Sequence, residues 1–429
     1  MKLRITAVSI LVLGLVGLLA ASVHVAGAVK TIEFTYLAGS QTWEEAYAAL
    51  TEAFEQANPD VKVERIRMQG DHSARLVALM AAGTVPDVIA LDIQDLMSFA
   101  DERFLYDLNP FIQKTPEYQA SRIARPIMDA YTVDGKLYAA PILTNPSFYG
   151  YNIELFDLAG LAHPYDLYKK DAWTWEAFRE AARKLTRKDP EGNVEVIGAA
   201  LHLPRTWMAS NGGAEFDDPK RPTKSVFDDE VNIETLTFLH SMIWQDDAMR
   251  QVGSALQRAV GANETLGFAQ GKIGLSARWL ASIPAMAAGG FQMGLVPYPK
   301  GPSPRRQYAT DLGMFGIAIA KQTKDIDSAW RFVSFITGPV GSAIDAKLLG
   351  RTPPRPLALT WLPQTVVNPE IYPELLTYGH LRIISRDRMT MQQMINQGLT
   401  RLWNNTVDPK SAATEIARQL NAFLQQNQQ

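Results

Sequence analysis

Between Lys30 and Leu91 the hydrophobic pattern switches repeatedly from a period of two to a period near 3.6, and this alternation constrains the chain more than any other feature. Ile32, Phe34 and Tyr36 lie on one phase of a strand. Thr42 and Glu45 then form a capping box, and Trp43, Ala46, Tyr47, Leu50 and Phe54 recur at helical spacing until Pro59 stops the run. Val61 to Met68 reads extended, Ser73 to Ala82 helical, and Pro86-Asp87 leads into the uninterrupted apolar run Val88 to Leu91. The order βαβαβ predicts an α/β domain with a mainly parallel sheet, whose strands gather ligands at their carboxyl ends.

The remaining chain, 429 residues in all, is long enough for more than one such domain. Three Pro/Gly-punctuated stretches are candidate crossings between lobes: Pro141 to Asn152, Leu295 to Pro304 and Thr337-Gly338-Pro339. The opening residues carry Lys2 and Arg4, then an apolar run from Ile5 to about Ala21 and the small residues Ala26-Gly27-Ala28. This is the pattern of a secretory signal cleaved after Ala28, with a membrane anchor as the competing reading. Export to the periplasm follows from the signal.

Composition then excludes whole chemistries. With no cysteine there is no thiol nucleophile, Cys-ligated zinc, Fe-S cluster, disulfide or cysteine-borne lipid anchor. Lys and Arg number 42 against 45 Asp and Glu, which lacks the basic excess that nucleic-acid binding needs. The sequence has no G-x-S-x-G, H-E-x-x-H, P-loop, G-x-G-x-x-G or EF-hand pattern. The histidines at 72, 163, 202, 240 and 380 are scattered without ligand spacing, so neither a metal nor a cofactor is expected. Paired acids such as Asp217-Asp218 and Asp228-Asp229 could suggest glycosidase chemistry but read as solvated turns.

Several stretches together resemble the extracellular solute-binding proteins of ABC importers, in particular the carbohydrate-binding branch that includes maltose-binding proteins. They are Phe54 with Asn58-Pro59 and Val61-Lys62-Val63; Gly83 with Pro86-Asp87-Val88; and Leu105-Tyr106-Asp107-Leu108. Asp134-Gly135-Lys136-Leu137-Tyr138-Ala139-Ala140-Pro141 and Tyr151-Asn152 follow, then Trp173-Thr174-Trp175, Gly271-Lys272 before Trp279, and Ala329-Trp330-Arg331-Phe332. Thr174 is a plausible N-cap, with Trp175, Phe178, Ala182 and Leu185 on one helical face.

The resemblance implies a periplasmic-binding-protein-like α/β fold: two discontinuous lobes joined by a hinge, with ligand in the interlobe cleft. The N-lobe would take residues 29–143 and 297–337, and the C-lobe residues 146–294 and 338–429. It also implies a monomeric, non-enzymatic receptor that hands a small solute, a sugar or oligosaccharide, to a membrane permease. A phosphorylated polyol or acidic sugar is the alternative ligand, and an exported polysaccharide-active enzyme the alternative from another class.

Ligand positions carried over by the resemblance are Ser40, Gln41, Asp92 and Asn145 toward the N-lobe side and Trp207, Asn211, Gly212, Gly213 and Trp279 in the other lobe, with Asp311 and Arg351 beside them. Each has a plain alternative: Ser40, Gln41 and Asp92 could cap helices, Asn145 could serve a hinge, and the tryptophans could be core. Sugar rings present flat C–H faces and a hydroxyl rim, which an aromatic plate with carboxylates and amides complements. Arg278 stands where the resemblance leads to a small residue. It could face solvent, pair with Asp92 or Asp311, or bind an anionic group on the ligand. Met389 and Met391 lie where the branch often has another aromatic, so no ligand role is carried over there.

Overall fold

The computed structural model of the chain describes residues 29–37, 41–68, 72–346, 351–357 and 359–427. The signal expected over residues 1–28 and Ser40 lie outside them. The chain divides into two compact units, Met1–Thr144 with Met314–Trp361 and Asn145–Gly313 with Leu362–Gln429. The main elements are β1 (Lys30–Leu37), α1 (Gln41–Ala57), β2 (Val61–Met68), α2 (His72–Ala81), β3 (Val88–Asp92) and β4 (Ala140–Asn152). They continue with α3 (Trp175–Leu185), β5 (Val194–Leu201), α4 (Pro204–Ser210), α5 (Glu264–Ala269), β6 (Ile273–Trp279), β7 (Met293–Val296), β8 (Thr310–Ile319), α6 (Ile326–Thr337) and β9 (Gly379–His380).

The first unit contains the predicted βαβαβ order. β1 pairs in parallel with β2 from Lys30↔Val61 to Leu37↔Met68 and with β3 through Phe34↔Val88, and β8 adds to β3 antiparallel. α1 already includes Gln41 and Thr42, so Thr42 is not its N-cap; the capping position falls outside the described residues. Phe34 sits at the centre of the core, its ring 5.4 Å from Tyr47 of α1 and 5.2 Å from Phe332 of α6, both edge-on. The Arg331 guanidinium grips both Asp60 oxygens at 2.8 and 2.9 Å and Asn58 Oδ1 at 2.6 Å. That clamp ties α6 to the turn after α1, a fold-building role for two of the resembling motifs. Asp134 and Gly135 both have positive φ, 49° and 75°, and close the two-residue hairpin between Thr132–Val133 and Lys136–Leu137.

In the second unit, the last residues of β4 pair antiparallel with both β6 and β7, and β6 runs parallel to β5. Thr174 caps α3 by accepting from the Ala177 N–H, as its spacing predicts, and Trp175, Phe178, Ala182 and Leu185 are buried. Because β5 and β6 are parallel, their carboxyl ends, Leu201 and Trp279, lie on the same edge of the sheet.

The first crossing, Thr144–Asn145, falls inside Pro141 to Asn152, and the other two differ from those the prolines suggest. Pro141 to Asn152 is part of one strand, β4, which leaves the first unit at Thr144; its ladder to β6 begins at Ser147, directly after Pro146, which has no N–H to donate. Residues 297–313 belong to the second unit and 338–361 to the first, so the other crossings fall at Gly313–Met314 and Trp361–Leu362. The proline-rich segment instead folds back within the second unit, with Tyr298 bridged to Ala309 and the Ser303 N–H on Asn211. Pro339 opens a new helix after α6, where its missing N–H costs nothing. Proline and glycine mark breaks in local hydrogen bonding, and those breaks need not coincide with a change of packing partner.

Candidate functional site

The carboxyl edge of the second unit's sheet gathers a set of polar side chains from several structural elements. β5 ends at Leu201, so His202 and, at the start of α4, Arg205 are delivered there; β6 delivers Arg278 and Trp279; β8 enters with Asp311. Trp279 and Arg278 are half-buried. The Asn145 side chain accepts from the Ala281 N–H at 3.0 Å, fixing the turn that follows Trp279. At Gly313 an added Cβ would lie 3.7 Å from the Trp279 ring and 3.6 Å from Asn145, so the three form one contiguous patch.

Asp311 is wholly buried, and its backbone N–H donates to Ser147 Oγ at 2.8 Å. Arg205 donates to its Oδ2 from Nε at 2.5 Å and approaches it again through Nη2. Arg382, two residues beyond β9, places Nε 3.8 Å from Oδ1 and its guanidinium carbon 5.8 Å from the Trp279 ring centre. Burial alone would raise the Asp311 carboxyl, but Arg205 and Arg382 outweigh it and hold Asp311 below the ordinary carboxylate range. His380, paired in register with Asp311, donates to or accepts from Thr206 Oγ1 at 3.2 Å. Burial pushes His380 down to about 4, with Arg205 and Arg382 adding to the fall and Asp311 opposing it. His202 is likewise pushed to about 4 by burial and by Arg278 and Arg205. Both imidazoles are therefore neutral at pH 7.

A second ion pair adjoins the first. Arg278 Nη1 donates to Glu264 Oε2 at 3.1 Å and Ser276 to Oε1 at 2.9 Å, while burial raises Glu264 to about 7 against the pull of Arg278. Within its own unit Arg278 thus pairs with Glu264, not with Asp311, and is not a solvated surface cation.

Other expected positions are structural. Trp207 is fully buried at the hub of the second unit's aromatic core, 4.9 Å from Phe178, 5.7 Å from Phe238 and 5.9 Å from Tyr298 between ring centres, so it has no face for a ligand. Asn211 is buried too: its amide donates to Glu234 and the Val231 carbonyl, and its oxygen accepts from the Ser303 N–H. Gly212 ends α4 at φ +82°, and a Cβ on Gly213 would sit 2.1 Å from Asn232 Oδ1; the pair lets the chain turn tightly against its own core. Their resemblance to ligand residues reflects the fold.

In the first unit, Gln41 is exposed and donates to Glu45 at 2.9 Å. Asp92 ends β3 and caps the turn Ile93–Asp95 by accepting from the Gln94 N–H at 2.9 Å. Arg351 is buried against Asp345 with its guanidinium over the Tyr47 and Trp43 rings. Sequence reading missed Arg205, Arg382, His202, His380 and Glu264. Only the cluster Pro204-Arg205-Thr206, directly before Trp207, offered a local signal.

A family model described as bacterial extracellular solute-binding protein matches residues 38–343. The chain belongs to that family. An arabinooligosaccharide-binding protein from Halalkalibacterium halodurans is 24% identical over 222 residues, 51% of this chain and 46% of its own length, so the chain spans about half the length of that relative. The fold is that of solved sugar receptors. The sugar-binding protein MalE of Xanthomonas citri superposes with a TM-score of 0.77 at 18% identity, covering 93% of this chain and 98% of that one. The cyclic alpha-maltosyl-1,6-maltose binding protein of Arthrobacter globiformis gives 0.77 at 19%, covering 94% and 100%. No helix among the described residues is long and apolar enough to cross a membrane.

Proposed function

We propose that the protein is the solute-binding component of an ABC importer, exported to the periplasm, which binds a sugar or oligosaccharide without altering it and delivers it as a monomer to a membrane permease. The observation that carries this reading is Trp279. It is a half-exposed ring at the carboxyl edge of a parallel strand pair, flanked by Arg382 and Asn145. A pyranose can lay its C–H face on the indole while its hydroxyl rim meets charged and amide groups. Family membership and the sugar ligands named for the relatives support the same class of solute.

Calorimetric titration with a panel of mono- and oligosaccharides, with product analysis of the same mixtures, tests the reading. Stoichiometric binding without product is expected, and sustained turnover would replace the receptor with an enzyme. In the Trp279→Ala variant affinity should fall by about 2 to 4 kcal/mol, roughly 30-fold to 1,000-fold, as for an aromatic hot spot. Unchanged affinity would return Trp279 to a packing role.

A further inference from the structure

At the carboxyl edge of the second unit's sheet, among the described residues, Arg382 is a half-buried cation with no hydrogen-bond partner. Arg205 is committed to Asp311 and Arg278 to Glu264. Arg382 forms no hydrogen bond with any described residue, its Nε is buried without a partner, and its nearest anion is Asp311 at 3.8 Å, already held by Arg205. Its side chain is 21% exposed and lies over the Trp279 ring. A guanidinium carries five N–H donors in a planar fork, and drawing it out of water without acceptors is costly. The exposed end of the fork is open to an acceptor next to the indole.

We infer that Arg382 receives the carboxylate of a sugar stacked on Trp279, so that the solute is an acidic sugar of the uronate type. This rests on the carbohydrate reading above. A carboxylate is flat, singly charged and matched to the guanidinium fork in a bidentate pair. A phosphoryl group would bring nearly two charges beside Asp311, which stays ionised, and Glu215, whose carboxyl faces both Arg205 and Arg382. Burial pushes the Glu215 carboxyl up, against the pull of Arg205 and Arg382. Arg278, the cation that the sequence offers for this task, shares the face of β6 with Ser276, where both meet Glu264. Strand alternation turns Trp279 the other way.

The test is titration calorimetry of the full chain with glucuronate, galacturonate and their dimers, each beside its carboxyl-reduced neutral counterpart and the matching sugar phosphate. At least one uronate should bind about 30-fold or more tighter than its neutral counterpart, the range expected for a desolvated charge pair. Its affinity should weaken in about 0.5 M sodium chloride. Arg382→Gln should bring the acidic-to-neutral ratio close to one, with Arg382→Lys between the two because it keeps the charge and loses the fork. If Arg382→Gln does not fold, the wild-type ratio and its salt dependence decide alone. A neutral sugar bound as tightly as its uronate, or a sugar phosphate preferred over it, would overturn the inference while leaving the carbohydrate receptor standing. Binding of no carbohydrate at all would remove both.

Discussion

Asp345 in the first unit and Asp311 in the second are both wholly buried and both paired with arginine, yet their carboxyls move in opposite directions. Asp311 meets Arg205 through two nitrogens of one guanidinium and has Arg382 beyond it, and it stays ionised. Asp345 has Arg351 alone, at 3.2 Å, with neither carboxylate oxygen in a well-formed hydrogen bond, and the Arg351 guanidinium spends itself on the faces of Tyr47 and Trp43. Burial therefore outweighs Arg351 and lifts Asp345 to about 6. Burial opposes the charge of both; the number and orientation of donors decide which carboxylate survives it.

The largest effect should come from stripping Asp311 of its main partner. Arg205→Met leaves a buried carboxylate with only Arg382 nearby, and chemical unfolding at pH 7 should show a loss of about 3 to 5 kcal/mol. A loss below about 1 kcal/mol would mean that Arg382 swings in as a full substitute, and the contrast between the two aspartates would then collapse.

Next in size are the pH slopes of two amide variants. Asp345 titrates higher folded than its ordinary 3.8, so its contribution is fully present below that value and is lost as pH rises through about 6. Asp345→Asn should therefore cost less at pH 7 than at pH 4, by about 3 kcal/mol. Asp311 titrates lower folded, so its contribution is present above its ordinary 3.8 and is lost as pH falls through the folded value. Asp311→Asn should therefore cost less as the solution is acidified below about pH 4. Unfolding curves for the two variants at matched pH values that slope the same way would break the comparison.

The smallest effect should be at Glu264, which like Asp345 is raised by burial against a single arginine. Its carboxyl is lifted to about 7, so its contribution is lost as pH rises from 4.5 through about 7. Below pH 5 Glu264→Gln replaces one neutral group by another that can still accept from Ser276, and the melting free energy should change by less than about 1 kcal/mol. A larger loss there would show that the Arg278 pair needs a full negative charge even in acid.

Much of the first unit was legible because its order is written in local periodicity. Ile32, Phe34 and Tyr36 face one way along β1, and the helical and extended stretches after them fall where the pattern shifts. The candidate site was legible only in part. Trp279 follows a recognisable Gly271-Lys272 and ends a strand, and Asp311 was singled out beside Leu312-Gly313. Trp207 shows the limit: an aromatic before an Asn-Gly-Gly turn has the same local signature whether its ring faces a ligand or five other rings.

Amino-acid order by itself determined the strand and helix order from β1 to β3, the capped start of α3 at Thr174 and the hairpin at Asp134-Gly135, because each depends on neighbours within a few residues. Tertiary structure alone decided the crossings at Gly313–Met314 and Trp361–Leu362, which tryptophan is core, and that Arg205, from the start of α4, and Arg382, from beyond β9, converge on Asp311. Those outcomes depend on partners tens to more than a hundred residues apart. Charge and burial act through distance in space, and a linear pattern carries no record of which distant groups the packed sheet edge brings within a few ångströms of each other.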